Sequence, residues 1–170
     1  MNARDKLLSQ TEIGQGTRYD LANRLFFRLY QSANMLHKTG TRAVESEGLT
    51  TQQWAVLGAL SRPSAATGLG VGELARYLMV SRQNLAGVTE RLARAGHVRV
   101  SVDTNDRRSR RISLTPDGRR VWDQRARPLI AAYYERALAD FSIDDRARML
   151  HYLLKLLENF ERIDAEPEHD

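Results

Sequence analysis

The 170-residue chain contains no cysteine. Disulfide scaffolds, thiol redox sensing and thiolate metal sites are therefore excluded together. It has no run of 18 apolar residues, and residues 1–10 are polar, with Arg4, Asp5 and Lys6 where a secretory leader needs an apolar stretch. Neither a membrane span nor export is signalled, and a cytoplasmic protein is the expectation. Signatures of catalysis are missing as well: there is no Gly-rich phosphate loop and no G-x-S-x-G elbow, so the chain reads as a non-enzyme. The four histidines, His37, His97, His151 and His169, are scattered, with no pair at i, i+4 spacing. No metal and no other cofactor is expected. Lysine is scarce too, at 3 of the 26 basic residues.

What the chain does have is arginine, unevenly placed. Residues 72–120 carry 11 arginines against five acids, whereas the remainder carries 15 basic residues against 16 acids. A net charge of +5 thus arises wholly within one segment. Segregated positive charge is evidence for a polyanionic partner, whereas mixed charge is only solvation. Guanidinium groups also suit phosphate, which they bridge in a bidentate way.

Periodicity divides the chain into helices with one short β-hairpin. From Tyr19 to Ala43, Ala22, Leu25, Phe26, Leu29, Ala33 and Leu36 recur at three- and four-residue spacing, which predicts one long amphipathic helix with Gly40 near its fraying end. Thr50-x-x-Gln53 is a capping box that opens a second helix carrying Trp54, Leu57 and Leu60 inward, ended by Pro63. Residues 64–70 are small and read as a loop without fixed structure. Residues 72–78 and 81–95 predict two short helices around a tight corner, with Gly96 as the stop after the second. Residues 98–102 and 111–114 alternate apolar with polar and predict a two-stranded hairpin with a basic tip. Thr115-Pro116 restarts helix as N-cap and first residue, Pro128 is placed to kink it, and Ser142-x-x-Asp145 opens a last helix. Its Ile143, Ala147, Leu150, Leu154 and Leu157 keep heptad-like spacing and demand a partner.

The centre of this pattern has the parts of a helix-turn-helix. Ala75 is the small residue where two helices cross; Leu74, Leu78, Val80, Leu85, Val88 and Leu92 lock the corner; Ser81 caps the second helix. Arg82, Gln83 and Asn84 are then exposed on its first turn, where they can donate to purine edges in a major groove, while Thr89 and Arg91 are placed for phosphates. Ordinary helix packing with a polar start is the alternative for this stretch alone. The hairpin weighs against it, because Arg107, Arg108, Arg110 and Arg111 cluster at its tip, with Asp106 able to hold Arg108 extended for a minor groove.

Gly72-Glu73-Leu74-Ala75, Val80-Ser81-Arg82-Gln83-Asn84, Glu90-Arg91-Leu92, Asp106-Arg107-Arg108 and Ile112-Ser113-Leu114-Thr115-Pro116-Asp117-Gly118 together resemble the multiple-antibiotic-resistance regulator (MarR) family. The resemblance spans roughly Leu21 to Phe160 and is strongest in the winged segment. It implies a mainly α fold with a small β-hairpin wing: a winged helix-turn-helix at residues 50–115, a helical dimerisation region at 17–48 and 116–163, and flexible termini at 1–16 and 164–170. It also implies a triangular homodimer on a pseudo-palindromic double-stranded DNA site, usually a repressor released by a small anionic or phenolic effector. The family's wing aspartate and arginine fall on Asp106 and Arg108, and its usual interhelical glycine is replaced by Met79. The family's effector pocket, between the dimerisation helices and the winged domain, would here draw on Phe26, Tyr30, His37, Trp54 and Leu57, with Arg28 available to a carboxylate. An aromatic stripe at helical spacing is more often core than pocket. An aromatic acid or its coenzyme A thioester is the expected effector. A DNA-organising protein with no ligand is the alternative.

Overall fold

A computed structural model describes residues 15–102 and 109–166. The chain divides into two compact units, Met1–Ile130 and Ala131–Asp170.

The first unit is organised on helix α2 (Thr51–Ser61), which buries Trp54, Val56, Leu57, Ala59 and Leu60 together with Thr51 and Gln53. A helix apolar around its whole circumference has to be enclosed by other elements. Its start is fixed by the predicted capping box: the Gln53 N–H donates to the Thr50 hydroxyl at 3.3 Å, and the Thr50 N–H donates to the Gln53 carbonyl oxygen at 2.8 Å. Helix α1 (Gln15–Ala43) joins it at its C-terminal end. The Thr51 hydroxyl donates to the His37 carbonyl at 2.9 Å, and the Thr51 N–H donates to the Thr41 hydroxyl at 3.1 Å. Gly40 is buried rather than fraying, because the Trp54 ring lies against it: a methyl at Gly40 would come within 2.8 Å of Trp54 Cη2. The same arrangement recurs at Gly58, where a methyl would meet Trp122 at 2.9 Å.

Around α2 follow β1 (Leu69–Gly70), α3 (Val71–Tyr77), α4 (Arg82–Arg94), β2 (Val98–Val102) and β3 (Arg110–Leu114). The sheet has three antiparallel strands in the order β1-β3-β2, with Ile112 between Leu69 and Val100. Residues 64–70 are therefore not the unfixed loop their composition predicts. Pro63–Ala65 forms a 3-10 turn, Ala65 and Leu69 are buried, and the Arg111 guanidinium donates to the Gly68 carbonyl at 2.6 Å. Pairing with a strand more than 40 residues away supplies what local composition lacks.

Helix α5 (Pro116–Arg120) runs into a π-helical turn, Val121–Ala126, and then α6 (Arg127–Ala137). The wide turn precedes Pro128, which has no N–H to offer the preceding turn of helix. Two contacts tie this stretch to the ends of α2: Arg119 donates to the Ser61 carbonyl at 2.9 Å, and Arg125 pairs with Glu47 at 2.6 Å. The Thr115 hydroxyl accepts from the Gly118 N–H and donates to the Gly96 carbonyl.

The second unit holds the end of α6 and helix α7 (Ile143–Asp164). Ser142 and Asp145 form the predicted capping box, and hydrogen bonds from Ser142 hold the Asp145 carboxyl below its ordinary pKa. Arg146 donates to the Leu138 and Phe141 carbonyls and closes the connecting turn. No residue of α7 is buried, and its apolar stripe, Ile143, Leu150, Leu154 and Leu157 included, stays exposed.

Gly118 is buried against the backbone of His97, where a methyl group would overlap the carbonyl oxygen and sit 2.7 Å from the carbonyl carbon. Backbone cannot step aside as a side chain can. Gly118→Ala should therefore destabilise the fold by about 2 kcal/mol or more. Urea titration followed by circular dichroism measures this, and an unchanged midpoint would refute it.

Candidate nucleic-acid interface

The corner between α3 and α4 is built as its sequence requires. Leu74, Ala75, Leu85, Val88 and Leu92 are buried at its centre, and the Val80 N–H donates back to the Ala75 carbonyl at 3.0 Å. Met79, standing where a glycine is usual, adopts φ +53°. The departure from glycine therefore leaves the left-handed turn intact and stores strain in it. The Ser81 hydroxyl accepts from the Asn84 N–H at 3.1 Å, so this residue acts as the N-cap of α4.

Beyond that cap, Arg82, Gln83 and Asn84 are all exposed. They do not point alike. The Arg82 guanidinium lies beside Gly72 at the start of α3, whereas Asn84 lines a small cleft of about 90 Å³ between α2 and α4, shared with Gln52, Val56, Val80, Leu85 and Val88. Gln83 is the member of the three that the turn of the helix sets opposite the buried Leu85, Val88 and Leu92. Arg91 is exposed as expected. Thr89 is not: it is only 6 % exposed, and its hydroxyl donates to the carbonyls of Leu85 and Ala86. A threonine that bonds back to its own helix and faces the core has no hydroxyl to give a phosphate, so Thr89 leaves the phosphate-contact set.

On the hairpin, Arg110 is exposed at the start of β3 and Arg99 is exposed on β2, the outer strand. Arg99 was not singled out from sequence, although the alternation of residues 98–102 sets it opposite the buried Val98. Asp106, Arg107 and Arg108 lie outside the described residues, and so does the ion pair expected between Asp106 and Arg108. The hairpin is anchored at its base, where His97 Nδ1 stands 3.3 Å from the Asp117 carboxylate. A hydrogen bond from Arg120, reinforced by His97, holds the Asp117 carboxyl below its ordinary pKa.

The residues proposed to line an effector cavity separate into two groups. Trp54 and Leu57 are core side chains, 7 % and 0 % exposed, the indole filling the space over Gly40. They are corrected from pocket wall to packing. Phe26, Tyr30, Arg28 and His37 lie exposed along α1, with Arg28 bonded to Gln31 at 2.7 Å. Among the described residues no group of His, Asp or Glu could hold a metal ion, and no helix is long and apolar enough to cross a membrane.

The MarR family model matches residues 47–109, the span from the turn before α2 to the wing. Over 154 residues the chain is 64 % identical to the transcriptional activatory protein BadR of Rhodopseudomonas palustris, covering 91 % of this chain and 88 % of that protein. The chain belongs to the MarR family. Its mainly helical architecture with a small antiparallel sheet is that of the family's winged-helix transcriptional regulators. The homoprotocatechuate degradative operon repressor of Escherichia coli is 30 % identical over 117 residues, 69 % of this chain and 74 % of that one. Among solved structures, the Mycobacterium tuberculosis regulator MosR in complex with DNA aligns with a TM-score of 0.69 at 29 % identity, covering 81 % of this chain and 96 % of that one.

Met79 offers a test of the corner itself. Met79→Gly should retain the fold and gain up to about 1 kcal/mol, since glycine adopts positive φ without the clash of a Cβ. Met79→Val should lose about 1–2 kcal/mol, as a β-branched residue resists that region. Equal melting temperatures for the three proteins would show that the turn carries no strain.

Proposed function

We propose that the protein is a ligand-responsive transcriptional regulator that binds a pseudo-palindromic duplex site as a homodimer, with α4 in the major groove and the arginine-rich hairpin in the adjoining minor groove. The observation that carries this reading is the first turn of α4. Polar side chains stand exposed there above a corner centred on the buried Leu74, Leu85, Val88 and Leu92, on a helix whose start is fixed by Ser81. The segment that contains this helix, residues 72–120, holds the chain's excess positive charge, which favours the backbone of a duplex. The likeness to MosR, solved in complex with DNA, supports the same assignment.

Homodimerisation is supported by apolar surface. Tyr19, Leu21, Leu25, Phe26 and Phe27 on α1, and Ile143, Leu150, Leu153 and Leu154 on α7, are each 45 % exposed or more. Such stripes on a soluble protein mark an interface. A second copy also provides a second reading helix one turn of DNA away, which one winged domain lacks.

For the effector, an aromatic acid or its coenzyme A thioester is supported by the Escherichia coli relative, whose operon degrades homoprotocatechuate, itself an aromatic acid. Phe26, Tyr30, His37 and Arg28 remain its candidate contacts. Repression is what family resemblance led us to expect. The relative that is 64 % identical over 154 residues is an activatory protein, so activation is the sign we assign. The protein would act by binding alone, with no chemistry performed on the effector.

Selection from a randomised duplex library should return a site of two inverted half-sites, with the affinity for it lowered or raised by an aromatic acid or thioester. Recovery of unrelated sequences at equal affinity, indifferent to every such compound, would favour a DNA-organising protein instead. Arg108→Ala should weaken binding to all duplexes about equally, while Gln83→Ala should relax the preference at one position per half-site. Uniform losses for both variants would remove Gln83 from base reading.

A further inference from the structure

Helix α4 carries a glycine in its interior that no contact among the described residues explains. Gly87 lies within Arg82–Arg94, between Ala86 and Val88, where glycine weakens a helix relative to alanine. At Gly40, Gly58 and Gly118, by contrast, a methyl would collide with an indole or with backbone. At Gly87, among the described residues and outside the helix's own backbone, such a methyl would meet just an Arg91 guanidinium nitrogen at 3.7 Å, ordinary contact with the end of a flexible side chain. Among the described residues nothing fills the space, which leaves it open to a partner.

The helical repeat shows what would occupy it. Leu85, Val88, Thr89 and Leu92 form the buried face. At 100° per residue the opposite ridge is Gln83, Gly87, Glu90 and Arg94, with Asn84 and Arg91 on the flank toward α2. Glu90 is an acid on the outermost line of a helix in the chain's most basic segment, and Arg94 stands 3.8 Å from it with both side chains 71 % exposed. An acid facing phosphates is repelled. An acid facing base edges accepts from the exocyclic amine of cytosine.

We propose that the ridge Gln83–Gly87–Glu90 is the base-reading edge of α4, in which Gly87 lets the helix backbone approach the floor of the groove and Glu90 accepts a hydrogen bond from a cytosine amine. This rests on the reading of α4 as the major-groove helix. Gln83 and Glu90 then read positions separated by two helical turns, with the side-chain-free Gly87 midway. Asn84, turned toward the cleft, becomes a flank residue rather than the centre of recognition.

Gly87→Ala separates this from a structural role, because stability and recognition should move in opposite directions. The variant should melt about 2–4 °C higher, as an alanine replaces a glycine in open helix. Its affinity for the library-selected site should fall about tenfold, with affinity for an unrelated duplex changed far less. Glu90→Ala should bind the unrelated duplex more tightly and lose discrimination at one cytosine position per half-site. The proposal is overturned if Gly87→Ala retains the wild-type ratio of selected to unrelated affinity, or if Glu90→Ala changes affinity for every sequence by one common factor. Wild-type protein that shows no preference among duplexes would instead overturn the reading of α4 itself.

Discussion

Enclosure of α2 is the constraint on which the first unit depends. A helix with Val56, Leu57 and Leu60 fully buried, and Trp54, Ala59 and even Thr51 and Gln53 nearly so, leaves no solvent face. It has to be surrounded, and each surrounding element is held by a particular contact. Helix α1 is held by Gly40 against Trp54 and by the Thr41–Thr51 hydroxyls, which stand 3.0 Å apart. The turn after α5 is held by Trp122 on Gly58 and by Arg119 on the Ser61 carbonyl. Burying this much apolar surface is what allows the corner and the sheet, each too small to fold alone, to keep a fixed shape.

The presenting elements are packed along one face and fixed at their ends. Helix α4 is capped by Ser81 and entered through a strained left-handed Met79; it leaves through Gly96 at φ +77°. The hairpin is anchored at its base by Thr115, Gly118, His97 and Asp117, and its first strand partner is only two residues long. A buried inner face with an exposed outer one is suited to reading a duplex, since the side chains offered to it are ordered without being consumed in the fold.

Much of this was legible in the sequence, for reasons that can be named. Both capping boxes and the Ser81 and Thr115 caps were readable because each depends on residues within four positions of one another, and the buried corner because the helical spacing of apolar residues marks the inner face of α4. Strand β1 was not, because Leu69 and Gly70 become strand only by pairing with Ile112 and Arg111, more than 40 residues on. Gly40 was misread as a fraying end for the same reason: its meaning lies in the Trp54 ring 14 residues later. Thr89 shows a different failure. It sits one position from the exposed Glu90, and helical phase alone, applied strictly, sets it on the side of Leu85 and Leu92. The ridge through Gly87 was likewise present in that phase, but its significance required knowing that none of the described residues fills the space.

The two close glycine–indole contacts also have a spectroscopic consequence. Trp54 and Trp122 are the chain's only tryptophans, and both belong to the first unit. Tryptophan fluorescence therefore originates in the first unit, whereas far-ultraviolet ellipticity sums over every helix. Denaturation curves recorded with the two signals will superimpose only if the two units lose their structure in concert.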